Sequence, residues 1–152
     1  MGVTELGHVV LYVENAERSA HFYREVLGWH QILPADDGPV VGVAAFSGGR
    51  THHELLLIEV GEGAKPIPTG RRLGMYHIGL KVGESDDELR AALERVRAAG
   101  ATILGSSDHH VTHSLYIADP DGNEVELFVD MPGLDWKNDP TLLMSPTQPL
   151  RL

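Results

Sequence analysis

The sequence predicts an α+β fold built from two tandem βαβββ modules, and three observations carry that prediction. First, Gly7-His8-Val9-Val10-Leu11-Tyr12-Val13 aligns without gaps on Tyr76-His77-Ile78-Gly79-Leu80-Lys81-Val82, an offset of 69 residues from His8 to His77. Second, each of these strands is followed by a capped helix and then by three short strand patterns. Third, the second copy closes on Asp119-Pro120-Asp121-Gly122-Asn123, where Pro presets φ, Asp and Asn bond their own backbone, and Gly accepts positive φ. A duplication of this kind decides the architecture before any local detail does. Two mixed half-sheets would then pair, inner faces forming a cleft and helices lying outside.

Taken in order, Glu5–Val13 reads as a strand with His8, Val10 and Tyr12 on one face and Val9, Leu11 and Val13 on the other. Asn15 caps a helix over Ala16–Leu27, whose apolar positions Ala20, Phe22, Tyr23, Val26 and Leu27 follow a 3.6-residue period, and Gly28 stops it. Strands are expected at Gln31–Leu33 and Val40–Phe46, split by a turn at Ala35–Pro39 in which Asp36 and Asp37 are solvated charges. Gly48-Gly49 turns the chain into an apolar strand, His53–Glu59. Residues 61–72 are rich in Gly and Pro and read as a linker. The second module runs from a strand at Met75–Val82, through a helix capped by Ser85 or Asp86 and ended by Gly100, to a strand at Thr102–Leu104. A hairpin of Ser114–Ala118 and Val125–Val129 closes it. We expect one domain, with modules at 4–60 and 73–130, and a Pro-rich tail (131–152) that wraps over the surface or a partner subunit.

Composition narrows the function. With 12 Lys and Arg against 22 Asp and Glu, the net charge of −10 argues against nucleic acid or an anionic membrane as partner, since both call for a basic surface. No apolar run reaches the length of a membrane span and no signal segment opens the chain, so a cytoplasmic protein is expected. The chain has no cysteine and nine histidines, so any metal must be held by His, Asp or Glu.

In the last strand Val125, Leu127 and Val129 share one face and Glu126, Phe128 and Asp130 the other. A mid-strand carboxylate is costly to bury unless it is paired or metal-bound. Strand parity puts His8 and His77 on equivalent inner faces, with Glu126 pointing to the same side. A lone mid-strand histidine is ordinarily a core residue, but two at one repeat position beside a mid-strand glutamate argue for a ligand set. Two imidazoles and one carboxylate with open positions form the facial triad of non-haem Fe(II) and O2 chemistry, and Mn(II) can occupy the same donors. The remaining histidines, His21, His30, His52, His110 and His113, read as surface, turn or strand-entry residues.

The hairpin HSLYIADPDGNEVELF resembles that of the extradiol ring-cleavage dioxygenases within the vicinal oxygen chelate superfamily, and the resemblance covers residues 4–130. Tyr-x-x-Asp-Pro-x-Gly-x-x-x-Glu is fully present, with Tyr116 ten residues before Glu126. The resemblance implies Fe(II) held by His8, His77 and Glu126, and a catechol-type aromatic diol opened beside its hydroxyls by O2. It further implies His53 as the acid–base residue that takes and returns protons, His109 as a partner of bound oxygen or substrate, and Tyr116 as a hydrogen-bond donor to substrate. Ser107, two places before His109, departs mildly from the family pattern.

Glu54 opens a second reading. In the related glyoxalase I enzymes the corresponding strand supplies a metal-binding glutamate, so His8, Glu54, His77 and Glu126 could hold Ni(II) or Zn(II) in a lyase or isomerase. On a strand His53 and Glu54 face opposite ways, and the flanking leucines do not choose between them. A third reading is a metal-free antibiotic-binding protein of the same superfamily. A homodimer is expected from the small size and the extended tail.

Overall fold

A computed structural model describes residues 2–35 and 38–152. The expected loop charges Asp36 and Asp37, at the centre of the expected Ala35–Pro39 turn, lie outside the described residues. The chain divides into two compact units, Met1–Ile67 and Pro68–Leu152. It is α+β: each unit is a mixed sheet with one principal helix and repeats the expected βαβββ order.

In the first unit, β1 (Val9–Val13), β2 (Gln31–Leu33), β3 (Val43–Phe46) and β4 (Leu55–Glu59) form a sheet of order β1-β4-β3-β2. β1 runs parallel to β4, with Leu11 opposite Leu57 and Val13 opposite Glu59. Leu11, Val13, Leu55 and Leu57 are buried, whereas Tyr12 on the other face is 72% exposed. Helix α1 (Ala16–His21) starts as expected: the Asn15 side chain accepts from the Arg18 N–H, satisfying one of the open donors of a first turn. Its last turn does not stay α-helical. Phe22–Val26 forms a π-helical turn, with the Leu27 N–H bonded five residues back to Phe22. The wider turn buries Phe22, Tyr23 and Val26 together, with the Tyr23 ring 5.9 Å from Phe46 and 6.4 Å from Trp29. Gly28 then takes φ +74°, a conformation that favours Gly at a helix end.

The second unit repeats the topology. β5 (His77–Gly83), β6 (Ile103–Asp108), β7 (Thr112–Ala118) and β8 (Glu124–Asp130) stand in the order β5-β8-β7-β6, and a short β9 (Gln148–Pro149) is added outside β6. Again the first and last strands of the module, β5 and β8, pair in parallel. Helix α2 (Asp86–Ala98) buries Leu89, Ala92, Leu93 and Val96 on the side of the sheet where Leu115, Ile117, Val125, Leu127 and Val129 are also buried. Ser85 is the N-cap residue, but its hydroxyl donates 2.9 Å to the Glu88 carboxylate, which also accepts the Glu84 N–H at 2.7 Å. The β7–β8 turn is built as its residues predict. Asp119 Oδ1 accepts from the N–H groups of Asp121 and Asn123 at 3.0 and 2.7 Å, and Gly122 has φ +87°.

Several expected boundaries move. The strand expected at Glu5–Val13 begins at Val9, leaving His8 just before it, and the one expected at Met75–Val82 begins at His77. The strand expected at Val40–Phe46 begins at Val43, and the one expected at Thr102–Leu104 runs from Ile103 to Asp108. The strand expected from His53 begins at Leu55. Strand parity therefore does not govern His53 and Glu54. The tail from Met131 packs within its own unit: it forms a 3-10 turn at Pro140–Met144 and then β9, which pairs antiparallel with β6. Among the described residues no helix is long and apolar enough to cross a membrane.

Candidate active site and metal ligands

In the second unit the sheet register assembles the polar residues. Glu126 of β8 lies opposite Gly79 of β5 and Tyr116 of β7, while Glu124 lies opposite His77. These side chains share the face away from α2, because alternate residues of β8 fill the core. Gly79 has no side chain to intervene, and a Cβ there would sit 3.6 Å from Glu126 Oε2. The His77 ring thus reaches diagonally to Glu126, Nε2 to Oε2 3.0 Å. The other carboxylate oxygen, Oε1, accepts from the Tyr116 hydroxyl at 3.2 Å, and that phenol oxygen lies 2.6 Å from His109 Nε2. Burial, and next the charge of Glu126, push the Tyr116 hydroxyl up to about 12. Tyr76, whose ring lies 4.8 Å from His77, is also raised, first by the charge of Glu124.

His77 Nδ1 is buried and makes no hydrogen bond; Glu124 Oε1 is 3.5 Å away, beyond good bonding geometry. With a cation on Nε2, the ring proton would sit on Nδ1, where Glu124 Oε1 stands 3.5 Å away as an acceptor that could orient the ring. The 3.0 Å separation of His77 Nε2 and Glu126 Oε2 is also about the spacing of adjacent donors around a six-coordinate divalent cation with bonds near 2.1 Å. Nitrogen and carboxylate oxygen suit Fe(II), Mn(II), Ni(II) and Zn(II). The donor pair fits a divalent metal.

The first unit carries a separate imidazole cluster. The Val9 N–H donates to Glu54 O at 2.9 Å, joining the start of β1 to the residue before β4. The His8 ring lies 4.3 Å from His53 and 6.0 Å from His52 between centroids. Nδ1 of His52 and His53 are 2.6 Å apart. His53 is held below the ordinary histidine range, first by desolvation and then by the rings of His8 and His52. Glu54 is engaged elsewhere. Its carboxylate accepts the N–H groups of Gly48 and Arg50 and lies 3.6 Å from Arg50 Nε, with its side chain 13% exposed. It closes the turn before β4. Among the described residues, neither unit on its own gathers three or more His, Asp or Glu side chains into a metal-holding group.

Within the units, then, His77, Glu126, Tyr116 and His109 come together, and so do His8 and His53. Residues without an expected role join them. Glu124 could have been read from its two-residue spacing to Glu126. Thr147, whose hydroxyl lies 3.3 Å from His109 Nδ1, carries no signal in sequence, because its neighbour is 38 residues away across a strand pairing. His113, expected at a strand entry, lies within β7 and bonds Asp86 at 2.7 Å, tying the strand to α2.

Comparison with known proteins agrees with the fold. A catechol-2,3-dioxygenase of Bacillus subtilis is 35% identical over 90% of this chain and 45% of its own length, so the chain spans about half of that relative. A lactoylglutathione lyase of Neisseria meningitidis is 28% identical over 84% of this chain and 92% of its own length. Among solved structures, a glyoxalase/dioxygenase from Nostoc punctiforme superposes with a TM-score of 0.69 at 23% identity, covering 84% of this chain and 92% of that one. A sequence model described as the Glyoxalase/Bleomycin resistance protein/Dioxygenase superfamily matches residues 5–127. With that span matched and the paired βαβββ topology in place, the chain belongs to the glyoxalase/bleomycin resistance protein/dioxygenase superfamily.

Proposed function

We propose that this chain is an extradiol dioxygenase, opening the ring of a catechol-type diol with O2 through Fe(II) held by His8, His77 and Glu126. The observation that carries the reading is the line of hydrogen bonds from Glu126 through Tyr116 to His109. It combines a candidate ligand with two polar groups able to meet a substrate oxygen, as the hairpin motif implies. When bound, Fe(II), or Mn(II) on the same donors, supplies Lewis acidity toward the diol and a route for electrons between substrate and O2. The residues supply the rest. His53, an imidazole with a free lone pair when neutral, takes a proton from the diol and returns one later in the cycle. Tyr116 stays protonated, its hydroxyl pushed up to about 12, and the proton it gives Glu126 in the metal-free site would turn to a substrate oxygen once the diol is bound. His109 holds the Tyr116 oxygen and, as the motif implies, would exchange that ring N–H contact for one to a substrate or O2 oxygen. Phe128, on the Glu126 face of β8 beside Gly79, supplies apolar surface for the ring. The protein would work in the cytoplasm, as a homodimer.

A glyoxalase I-like lyase using Ni(II) or Zn(II) is the second reading, favoured by the near full-length match to a lactoylglutathione lyase. It needs Glu54 as a ligand, and that carboxylate is committed to Gly48 and Arg50. Oxygen uptake by Fe(II)-reconstituted protein with a panel of substituted catechols, following the ring-opened chromophore, separates the readings. Stoichiometric uptake with a coloured product is expected. A metal-loaded protein without uptake but active on methylglyoxal–glutathione would overturn the proposal in favour of the lyase. Failure to bind metal would leave an antibiotic-binding protein.

A further inference from the structure

Donor and acceptor accounting along the Glu126–Tyr116–His109 line leads into the C-terminal tail. The Tyr116 hydroxyl donates to Glu126 Oε1, which spends its single proton. The 2.6 Å contact between the phenol oxygen and His109 Nε2 then requires the ring to donate, Nε2–H to oxygen. A neutral His109 protonated at Nε2 has a lone pair at Nδ1, and the Thr147 hydroxyl 3.3 Å away is placed to donate to it. The donors therefore run one way: Thr147 to His109 to Tyr116 to Glu126. Thr147 is not a loose neighbour. The next two residues, Gln148 and Pro149, form β9 against Asp108 and Ser107, and Ser106 Oγ donates to Leu150 O at 2.8 Å. The strand pairing thus delivers Thr147 to the residue that follows β6. The segment lies beyond the 5–127 span matched by the superfamily model.

We propose that Thr147 is a positioning residue, and that the tail strand β9 carries its hydroxyl to His109 to fix that ring's tautomer and orientation. The catalytic consequence rests on the dioxygenase reading; the tautomer does not. A hydroxyl donor at Nδ1 leaves Nε2–H as the only neutral form that satisfies every atom in the line. Without it, His109 can turn or exchange tautomers, and Tyr116 loses a fixed partner.

The test is ring-nitrogen NMR of His109 in the full chain with labelled histidine and no added iron, alongside steady-state kinetics of the Fe(II)-loaded protein. Wild type and Thr147→Ser are expected to show one neutral tautomer, protonated at Nε2. Thr147→Val is expected to show shifts averaged over two tautomers, and Ser106→Ala, which removes the tail's side-chain anchor at Leu150 without touching the ring, to move them in the same direction. In kinetics, Thr147→Val should lower kcat roughly fivefold, the worth of one ordinary hydrogen bond, with KM little changed and recovery in Thr147→Ser. A wild-type ring protonated at Nδ1, or His109 signals unmoved in both Thr147→Val and Ser106→Ala, would overturn the proposal. Tautomer averaging in a protein that turns over no catechol would sustain the positioning role and defeat the dioxygenase reading instead.

Discussion

Replacing Tyr116 by Phe removes one oxygen and leaves the ring, so the outcome isolates the hydroxyl. That oxygen accepts from His109 Nε2 at 2.6 Å and donates to Glu126 Oε1 at 3.2 Å. A hydrogen bond to a charged acceptor is worth about 1.5–3 kcal/mol and one between neutral groups about 0.5–1.5 kcal/mol. The variant regains part of this, because the hydroxyl is itself desolvated, the first cause of its raised pKa. A net loss of about 1–3 kcal/mol is expected in metal-free protein, or roughly 3–10 °C in Tm for a chain of this size. Metal content should hold, since His77 and Glu126 keep their nitrogen and oxygens. Turnover of a catechol should fall roughly 10–100-fold, equivalent to about 1.4–2.7 kcal/mol of transition-state stabilisation. Differential scanning calorimetry, metal analysis and initial rates on the same preparations read all three quantities. Unchanged Tm and unchanged kcat together would refute the hydrogen-bonded line as either a structural or a catalytic element. A loss of metal with the hydroxyl would show that Tyr116 acts as a ligand instead.

Other expected outcomes follow from the same geometry. His53→Ala should lose most dioxygenase turnover and keep its metal, whereas Glu54→Gln should keep metal affinity within about threefold; metal titration showing a tenfold or larger loss in Glu54→Gln would favour the lyase ligand set. Leu127→Ala opens a fully buried position between β5 and β7 and should cost about 3 kcal/mol, read from urea unfolding; a loss below about 1 kcal/mol would contradict the packing of β8 against α2. Glu88 has its pKa lowered, first by the Glu84 N–H and then by the Ser85 hydroxyl. A depressed carboxylate stabilises the fold above the unfolded-chain pKa and loses that contribution as pH falls through the folded value. Glu88→Gln should therefore flatten the acid limb of the stability–pH curve below the ordinary glutamate value of 4.5. An identical limb in both proteins would refute the capping role.

What could be read from residues alone was whatever repeats locally. Alternation in β5 and β8 placed His77 and Glu126 opposite the core faces, because side chains on a strand change sides at every residue, whereas His8 stands just before β1. Asn15, Gly28 and the Asp119–Asn123 turn declared themselves through short-range bonding and positive φ, neither of which needs a distant partner. The duplication fixed the order of strands by making the second half a check on the first.

Other features depended on contacts between residues remote in sequence. The Glu54 carboxylate meets the turn that donates Gly48 and Arg50 N–H groups to it, and β4 starts only at Leu55, which cancels the parity argument. The π-helical end of α1 follows from burying Phe22, Tyr23 and Val26 at once, a packing demand that helical periodicity does not express. The reach of His77 to Glu126 depends on a bare Gly79 in the neighbouring register. Thr147 became part of the site only when β9 paired with β6. Periodicity says which face a residue takes, and only the paired strands say what it meets there.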